Sequence, residues 1–151
     1  MAIMPTEPTP DLAHQLSRAE RLLSGRMSAV LENEHCALEE WRVLMILSDG
    51  QGHTMTEVAD FAMVPAPTLT KLMDRMVSEG LVYRRADDKD RRRVLAYLAD
   101  HGQALHERAS ALLSAAEKEL ATRLGDIIDL SCWLTRLADV LTTQAQPASI
   151  A

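Results

Sequence analysis

Apolar residues recur at helical spacing over most of the chain. Residues 11–34 carry a narrow apolar stripe, typical of an amphipathic helix, whereas residues 38–47 are apolar around most of their circumference and predict a buried helix, with Met45 among its inward residues. A short helix capped by Thr54 or Thr56 follows, and a tight turn leads to a further helix that ends at Gly80. Helical patterns over 101–124 and 127–144 complete the chain.

One segment departs from the helical pattern. Residues 81–85 and 93–99 are short runs with aromatic and β-branched side chains, and the polar stretch 86–92 separates them. They predict a β-hairpin, the only strand pair that the pattern supports. The sequence therefore predicts a mainly α protein with a small β-hairpin wing: a winged helix–turn–helix with flanking helices.

Composition excludes several classes of protein. The chain is 47% apolar and 25% charged, as in an ordinary globular domain. No run approaches the ~20 apolar residues that cross a bilayer, and the start lacks a signal-peptide pattern, so we expect a cytoplasmic protein without a membrane partner. Two cysteines are too few for a disulfide scaffold.

Signatures of catalysis and of metal binding are missing from the sequence. Without a Gly-rich phosphate loop, a nucleophile elbow or a His-Glu-x-x-His motif, we expect neither an enzyme nor a cofactor. The five histidines include no i, i+4 pair and there is no Cys-x-x-Cys, so we predict surface histidines and no metal site, with a metal-sensing protein as an alternative.

Charge is segregated along the chain. The formal net charge is −6, which at face value disfavours nucleic acid as a partner. Residues 65–93 hold eight basic and five acidic residues, a net charge of +3, while the remainder holds eight basic and 17 acidic residues, a net charge of −9. The basic segment coincides with the second helix of the helix–turn–helix and the hairpin, and this predicts DNA as the partner.

The candidate DNA-binding residues lie on that helix and on the wing. Burial of Leu69, Leu72, Met73 and Met76 leaves the opposite face of the helix for base edges and phosphates. Thr68 is also a candidate for a cap in the first helical turn, and Arg84 or Arg85 can instead pair with Asp87 or Asp88. The predicted contacts are Pro67, Thr68, Thr70, Lys71 and Arg75 on the helix, and Arg84, Lys89, Asp90, Arg91 and Arg92 on the wing.

These motifs resemble the MarR family of bacterial transcriptional regulators. The similar stretch is LTKLMDRMVSEGLVYRRADDKDRRRVLAYLADHG, together with EEWRVLMIL and TEVADFA before it. The resemblance implies that Thr70, Lys71 and Arg75 face the major groove, and that Asp90 holds Arg92 by a salt bridge for entry into the minor groove. Pro65-Ala66 departs from the family, in which a serine and a polar or basic residue are common here.

The resemblance also implies a homodimer on a pseudo-palindromic double-stranded DNA operator. Pairing of the terminal helices across a two-fold axis would bury their apolar stripes and set two recognition helices about 34 Å apart. The predicted organisation is a disordered tail at 1–10, a helical dimerisation region at 11–35 and 102–145, and a winged helix–turn–helix DNA-binding domain at 36–101.

Regulation by a small molecule is implied in the same way, with a repressor released by an anionic or aromatic effector. The predicted lining of the effector site is His14, Arg18, Arg21, Trp41 and Met45. Arginines suit a carboxylate or phenolate. Ion pairs of these arginines with Glu20 or Glu34 are the alternative.

Two other possibilities stay open at this point. Cys36, beside His35, suggests a redox-responsive regulator, although an inert buried thiol is favoured, and Cys132 is predicted to lie in the core. The second possibility is a protein-interaction module that uses the winged fold without specific DNA binding.

Overall fold

The computed structural model describes residues 11–125 and 129–144, so the predicted tail at 1–10 lies outside the described residues. The described part of the chain divides into two compact units, with the boundary between Ala115 and Ala116. The described elements are α1 (Leu12–Leu31), a 3-10 turn (Glu32–Glu34), α2 (Leu38–Leu47), β1 (His53–Thr54), α3 (Met55–Ala62), α4 (Ala66–Ser78), β2 (Val82–Ala86), β3 (Val94–Leu98), α5 (Asp100–Leu124) and α6 (Leu130–Gln144).

The first two helices differ in burial, as their patterns predict. Asp11 caps α1 by accepting the backbone N–H of His14 at 2.8 Å, and most of this helix is exposed. Six of the ten residues of α2 are buried. The prediction for Met45 is wrong, because this side chain is 39% exposed while Val43 is fully buried. Successive residues turn by about 100°, which places Met45 at the edge of the buried face centred on Leu44.

The helix–turn–helix consists of α3 and α4. Thr54, rather than Thr56, caps α3: its hydroxyl accepts the Glu57 N–H at 3.3 Å, and the Glu57 carboxylate accepts the Thr54 N–H at 2.7 Å. Met63 ends α3 in the left-handed region at φ 54°, and the chain turns directly into α4. The four predicted inward residues of α4 are all buried: Leu69, Leu72, Met73 and Met76.

The predicted hairpin is confirmed, and it belongs to a larger sheet. Strands β2 and β3 pair antiparallel, with Tyr83 opposite Tyr97. The prediction of a single strand pair is wrong, because β1 also pairs with β3, through His53 opposite Ala96. The strand order is β1-β3-β2. A strand of two residues has too short a pattern to be detected in a sequence.

Helix α5 begins against the start of the wing. The Ala99 N–H donates to the carbonyl oxygen of Leu81 at 3.0 Å. Gly102, in the first turn of α5, approaches the same carbonyl so closely that a Cβ there would lie 2.0 Å from the oxygen. Glycine is therefore required where the helix passes the residue that precedes β2. The buried residues Leu105 and Ala109 continue the contact of α5 with the core.

The terminal helix α6 is amphipathic and exposed. Trp133, Leu134 and Leu141 are each at least 42% exposed. Cys132 is exposed as well, so the prediction that it lies in the core is wrong for the single chain. Among the described residues, no helix is long and apolar enough to span a membrane.

Candidate nucleic-acid interface

The outer face of α4 carries the predicted groove-facing residues. Burial of the opposite face against α2, α3 and the wing fixes which side of α4 is available to a partner. The exposed side chains on this face are Pro67, Thr68, Thr70, Lys71 and Arg75.

The two threonines of α4 have different local roles. Pro65 is the N-cap residue and offers no side-chain acceptor, so the alternative that Thr68 caps this helix is wrong. Thr68 is instead the third helical residue and is exposed. The Thr70 hydroxyl donates to the Ala66 carbonyl at 3.0 Å. Its oxygen still has lone pairs to accept a hydrogen bond, and its methyl group stays available for apolar contact.

Arg75 combines exposure with a buried partner. Its guanidinium Nη2 donates to Oε1 of Glu40 at 2.6 Å, while 53% of the Arg75 side chain remains exposed. The Glu40 side chain is only 9% exposed. Sequence reasoning missed Glu40, since its position in the first turn of α2 predicts only a favourable interaction with the helix dipole.

The wing tip is a tight turn organised by two aspartates. Asp87 accepts the Lys89 N–H at 2.9 Å, and Asp90 accepts the Arg92 N–H at 3.0 Å. The expected salt bridge between Asp90 and Arg92 is wrong: Asp90 holds the backbone of Arg92, and no ion pair joins their side chains. Short Asp side chains favour such local backbone bonds in turns. Asp90 is therefore a turn-forming residue, and Arg92 is exposed.

Two arginines at the base of the wing are neutralised within the chain. Arg85 pairs with Asp88 at 2.9 Å, one of the pairings left open by the sequence. Arg84 pairs instead with Asp74 of α4 at 2.8 Å. This second pair joins the wing to the recognition helix, and Asp74 is a positioning residue that the sequence did not identify.

The remaining cations define the surface that faces outward. Within residues 11–125 and 129–144, no ion pair involves Lys71, Lys89, Arg91 or Arg92, and all four are exposed. One lies on α4 and three lie on the wing tip. An exposed helix beside a cationic loop has the geometry needed to place one element in a major groove and the other on phosphates or in the adjacent minor groove.

The predicted effector residues fall into separate places. His14, Arg18 and Arg21 line a shallow surface cavity of about 270 Å³ on α1, together with Ser17. Trp41 and Met45 lie outside this cavity. Trp41 is buried and stacks on His106, with ring centroids 5.1 Å apart.

The alternative prediction, that Arg18 and Arg21 form ion pairs with Glu20 or Glu34, is wrong. Glu20 lies 4.0 Å from Arg42, and Glu34 pairs with Arg108 at 2.7 Å. Both acidic residues therefore have other partners, and the arginines of the cavity keep their charge available.

Burial and nearby negative charges both make the Cys36 thiol unreactive. It is 4% exposed, and desolvation, reinforced by the negative charges of Glu40 and Glu34, raises its pKa to about 12. A thiolate, which is the reactive form, is therefore strongly disfavoured. The structure does not support the redox alternative.

One histidine is not the solvated residue that the sequence predicts. Nδ1 of His106 is buried, and within the described part of the chain it neither donates nor accepts a hydrogen bond. Desolvation lowers the pKa of His106, against a weaker opposing effect of Glu107. In the described part of the chain, no three His, Cys, Asp or Glu side chains are grouped as a metal site would require.

Comparison with known proteins identifies the same architecture elsewhere. A sequence model of the MarR family matches residues 37–93. The chain is 30% identical to the HTH-type transcriptional repressor Rv2887 of Mycobacterium tuberculosis over 113 residues, which cover 75% of this chain and 81% of the repressor. It is 28% identical to the homoprotocatechuate degradative operon repressor of Escherichia coli over 105 residues, which cover 70% and 71% of the two chains.

Solved structures agree with these relatives. The MarR family transcriptional regulator SPO1453 from Silicibacter pomeroyi is 30% identical, with a TM-score of 0.76 over 86% of this chain and 94% of that one. The complex of Rv2887 with salicylic acid is 27% identical, with a TM-score of 0.68 over 88% and 97% of the two chains. The sequence match, the shared winged fold and the residues of α4 and the wing lead to one conclusion: this chain belongs to the MarR family of transcriptional regulators.

Proposed function

We propose that the protein is a homodimeric, sequence-specific DNA-binding repressor that acts in the cytoplasm and leaves its operator when a small anionic or aromatic effector binds. The observation that carries this proposal is the placement of four unpaired cations on α4 and the wing tip of an otherwise acidic chain. The pair of Arg84 with Asp74 joins these two elements at 2.8 Å, so they act on DNA as one surface.

In the proposed complex, α4 enters the major groove and the wing follows the neighbouring backbone. Thr68, Thr70 and Lys71 contact base edges and phosphates, because hydroxyl and ammonium groups suit both kinds of acceptor. Arg92 enters the minor groove, where its charge is attracted by the narrow, negative channel. Lys89 and Arg91 neutralise phosphates on either side.

Dimerisation is proposed from the apolar residues that the single chain leaves uncovered on its terminal helices. Leu22 and Leu23 of α1 are 61% and 43% exposed, and Trp133 and Leu134 of α6 are 45% and 42% exposed. Apolar groups at this density on a helix are typical of a surface that a partner covers. Two-fold pairing sets the recognition helices about one turn of DNA apart and predicts a pseudo-palindromic operator.

The proposed effector site is the α1 cavity with His14, Arg18 and Arg21. Two guanidinium groups that have no acidic partner within residues 11–125 and 129–144 favour a carboxylate or phenolate. A related repressor binds salicylic acid, an aromatic carboxylate, and another is named for a degradative operon of an aromatic acid. Release requires that the effector bind the DNA-incompetent form of the dimer more tightly than the competent one.

DNA binding is tested by fluorescence anisotropy with a duplex from the upstream region of the gene, over a series of salt concentrations. The wild type is expected to lose affinity steeply with salt, and Arg91→Ala is expected to lower the slope by about 0.9, the value of one phosphate contact. Lys118→Ala, which removes an exposed cation of α5, is the matched control and leaves the slope unchanged. A flat salt dependence of the wild type contradicts the proposal and favours a protein-interaction module.

The homodimer is tested separately by sedimentation equilibrium. Leu134→Glu places a charge on the exposed apolar face of α6 and is expected to yield a folded monomer. A wild type that sediments as a monomer at micromolar concentration contradicts the proposed dimer.

A further inference from the structure

We propose that Glu40 is a positioning residue for DNA binding, which fixes Arg75 as a phosphate anchor at the C-terminal half of the recognition helix. This inference rests on the proposed DNA-binding function. It assigns a role in that function to a residue that does not itself contact DNA. Glu40 belongs to α2 and is buried beneath the interface.

Both oxygens of the Glu40 carboxylate are occupied. Oε2 accepts the Ala37 N–H at the start of α2 at 2.8 Å, and Oε1 accepts Nη2 of Arg75 at 2.6 Å. The side chain is 91% buried. A carboxylate bonded at both oxygens and enclosed by protein cannot follow a moving partner, so it holds the guanidinium at one place.

The guanidinium has capacity left for a ligand. Arginine carries five N–H groups, and Glu40 uses Nη2 alone in this structure. More than half of the Arg75 side chain is exposed, at 53%, so it can meet a ligand from outside while Glu40 holds it from within. A guanidinium held in place before binding loses little side-chain freedom when it meets a phosphate.

For Glu40→Gln, simple electrostatics and the proposed positioning role predict opposite changes in DNA affinity, so this variant tests the inference. Removing a negative charge near a DNA-binding surface ordinarily strengthens binding. If Glu40 acts through Arg75, Glu40→Gln instead weakens it, because the arginine is no longer held. Glutamine keeps an oxygen for the Ala37 N–H, so the start of α2 is preserved.

Glu39→Gln is the matched control. Glu39 is the exposed neighbour of Glu40 on the same helix, and its substitution makes the same change of charge. We expect unchanged or slightly tighter operator binding for Glu39→Gln and at least about tenfold weaker binding for Glu40→Gln, the effect of one charge-assisted hydrogen bond. Circular dichroism establishes that each variant is folded before titration.

A double-mutant cycle separates positioning from a general loss of structure. Arg75→Met keeps the apolar stem and is expected to lower the salt slope by about 0.9. In that background, Glu40→Gln should weaken binding no further, because the group through which it acts is gone. If Glu40→Gln is poorly folded, Glu40→Asp replaces it in the test. Aspartate keeps the negative charge but is one methylene shorter and cannot hold Arg75 at the same place, so the positioning role predicts weaker operator binding at unchanged net charge, and unchanged binding overturns it.

Each result has one interpretation. A wild type that binds no duplex with salt-dependent affinity refutes the proposed DNA-binding function itself. A wild type that binds, together with a Glu40→Gln variant that binds equally or more tightly, refutes only the role of Glu40. An unchanged salt slope for Arg75→Met also refutes it, since Arg75 would then be a structural partner of Glu40 and nothing more.

Discussion

Replacing Gly102 by alanine adds a single methyl group where α5 meets the beginning of the wing. The added Cβ would lie 2.0 Å from the carbonyl oxygen of Leu81, 2.9 Å from its carbonyl carbon and 3.2 Å from Cδ2 of Leu98. The two closest atoms belong to the backbone, which cannot rotate away as a side chain can. The start of α5 must therefore move by more than 1 Å from the strand.

The structure gives the sign and size of the effect. Displacement breaks the hydrogen bond from Ala99 N–H to the Leu81 carbonyl, which costs about 1 kcal/mol. Forced repacking of the contact costs about 1–3 kcal/mol. The higher helix propensity of alanine offsets at most about 1 kcal/mol. We expect Gly102→Ala to lower the free energy of unfolding by about 1–3 kcal/mol.

Urea unfolding followed by circular dichroism at a fixed protein concentration measures this change. Gly25→Ala is the internal control: Gly25 lies in the middle of α1, and a Cβ there meets no atom within 4 Å. The same substitution should raise the stability there by up to about 1 kcal/mol. A Gly102→Ala protein as stable as the wild type would show that the close approach of α5 to Leu81 is wrong.

Two further predictions concern buried titratable groups. Burial raises the pKa of Cys36 from 9.0 to about 12, so its thiolate population is about a thousandfold lower than that of an ordinary cysteine. Alkylation of Cys36 by iodoacetamide at pH 8 should therefore be slow in the folded protein. Equal rates of alkylation in buffer and in guanidinium, measured by mass spectrometry, would contradict this. Desolvation lowers the pKa of His106 below 6.5, so the unfolded chain binds more protons in mild acid and the free energy of unfolding should fall as the pH drops below 6.5. His106→Phe keeps an aromatic ring against Trp41 and should remove this part of the pH dependence, and an identical pH profile for both proteins would rule out His106 as its source.

The fold was largely predictable because its elements carry strong local signals. The inward residues of α4 and the two longer strands of the wing follow from periodicity, whereas turn chemistry narrows the cap of α3 only to Thr54 or Thr56. Strand β1 was missed because two residues have no periodicity, and Met45 was misplaced because the centre of the buried face depends on neighbouring elements. Local patterns specify the helices and longer strands, whereas tertiary packing decides short strands and the exact position of each buried face.

The site was predictable as a surface but not as a set of partners. Exposure of Lys71 and of the wing tip follows from the pattern of charge along the chain. The pairs that organise the surface join residues distant in sequence: Arg75 with Glu40, and Arg84 with Asp74. No spacing rule relates such residues, so only the three-dimensional structure reveals which cations are neutralised and which face a ligand.

Hydroxyl-radical footprinting on the upstream region of the gene tests the central claim most directly. The proposed dimer predicts two protected patches on one face of the DNA, one helical turn of about 10 bp apart. In a variant with Arg91→Ala and Arg92→Ala, protection should disappear where the wings contact the minor groove and persist where α4 lies. The account would be contradicted if no DNA is protected at concentrations at which the protein is fully dimeric. It would also be contradicted if the protection is the same after both arginines are replaced.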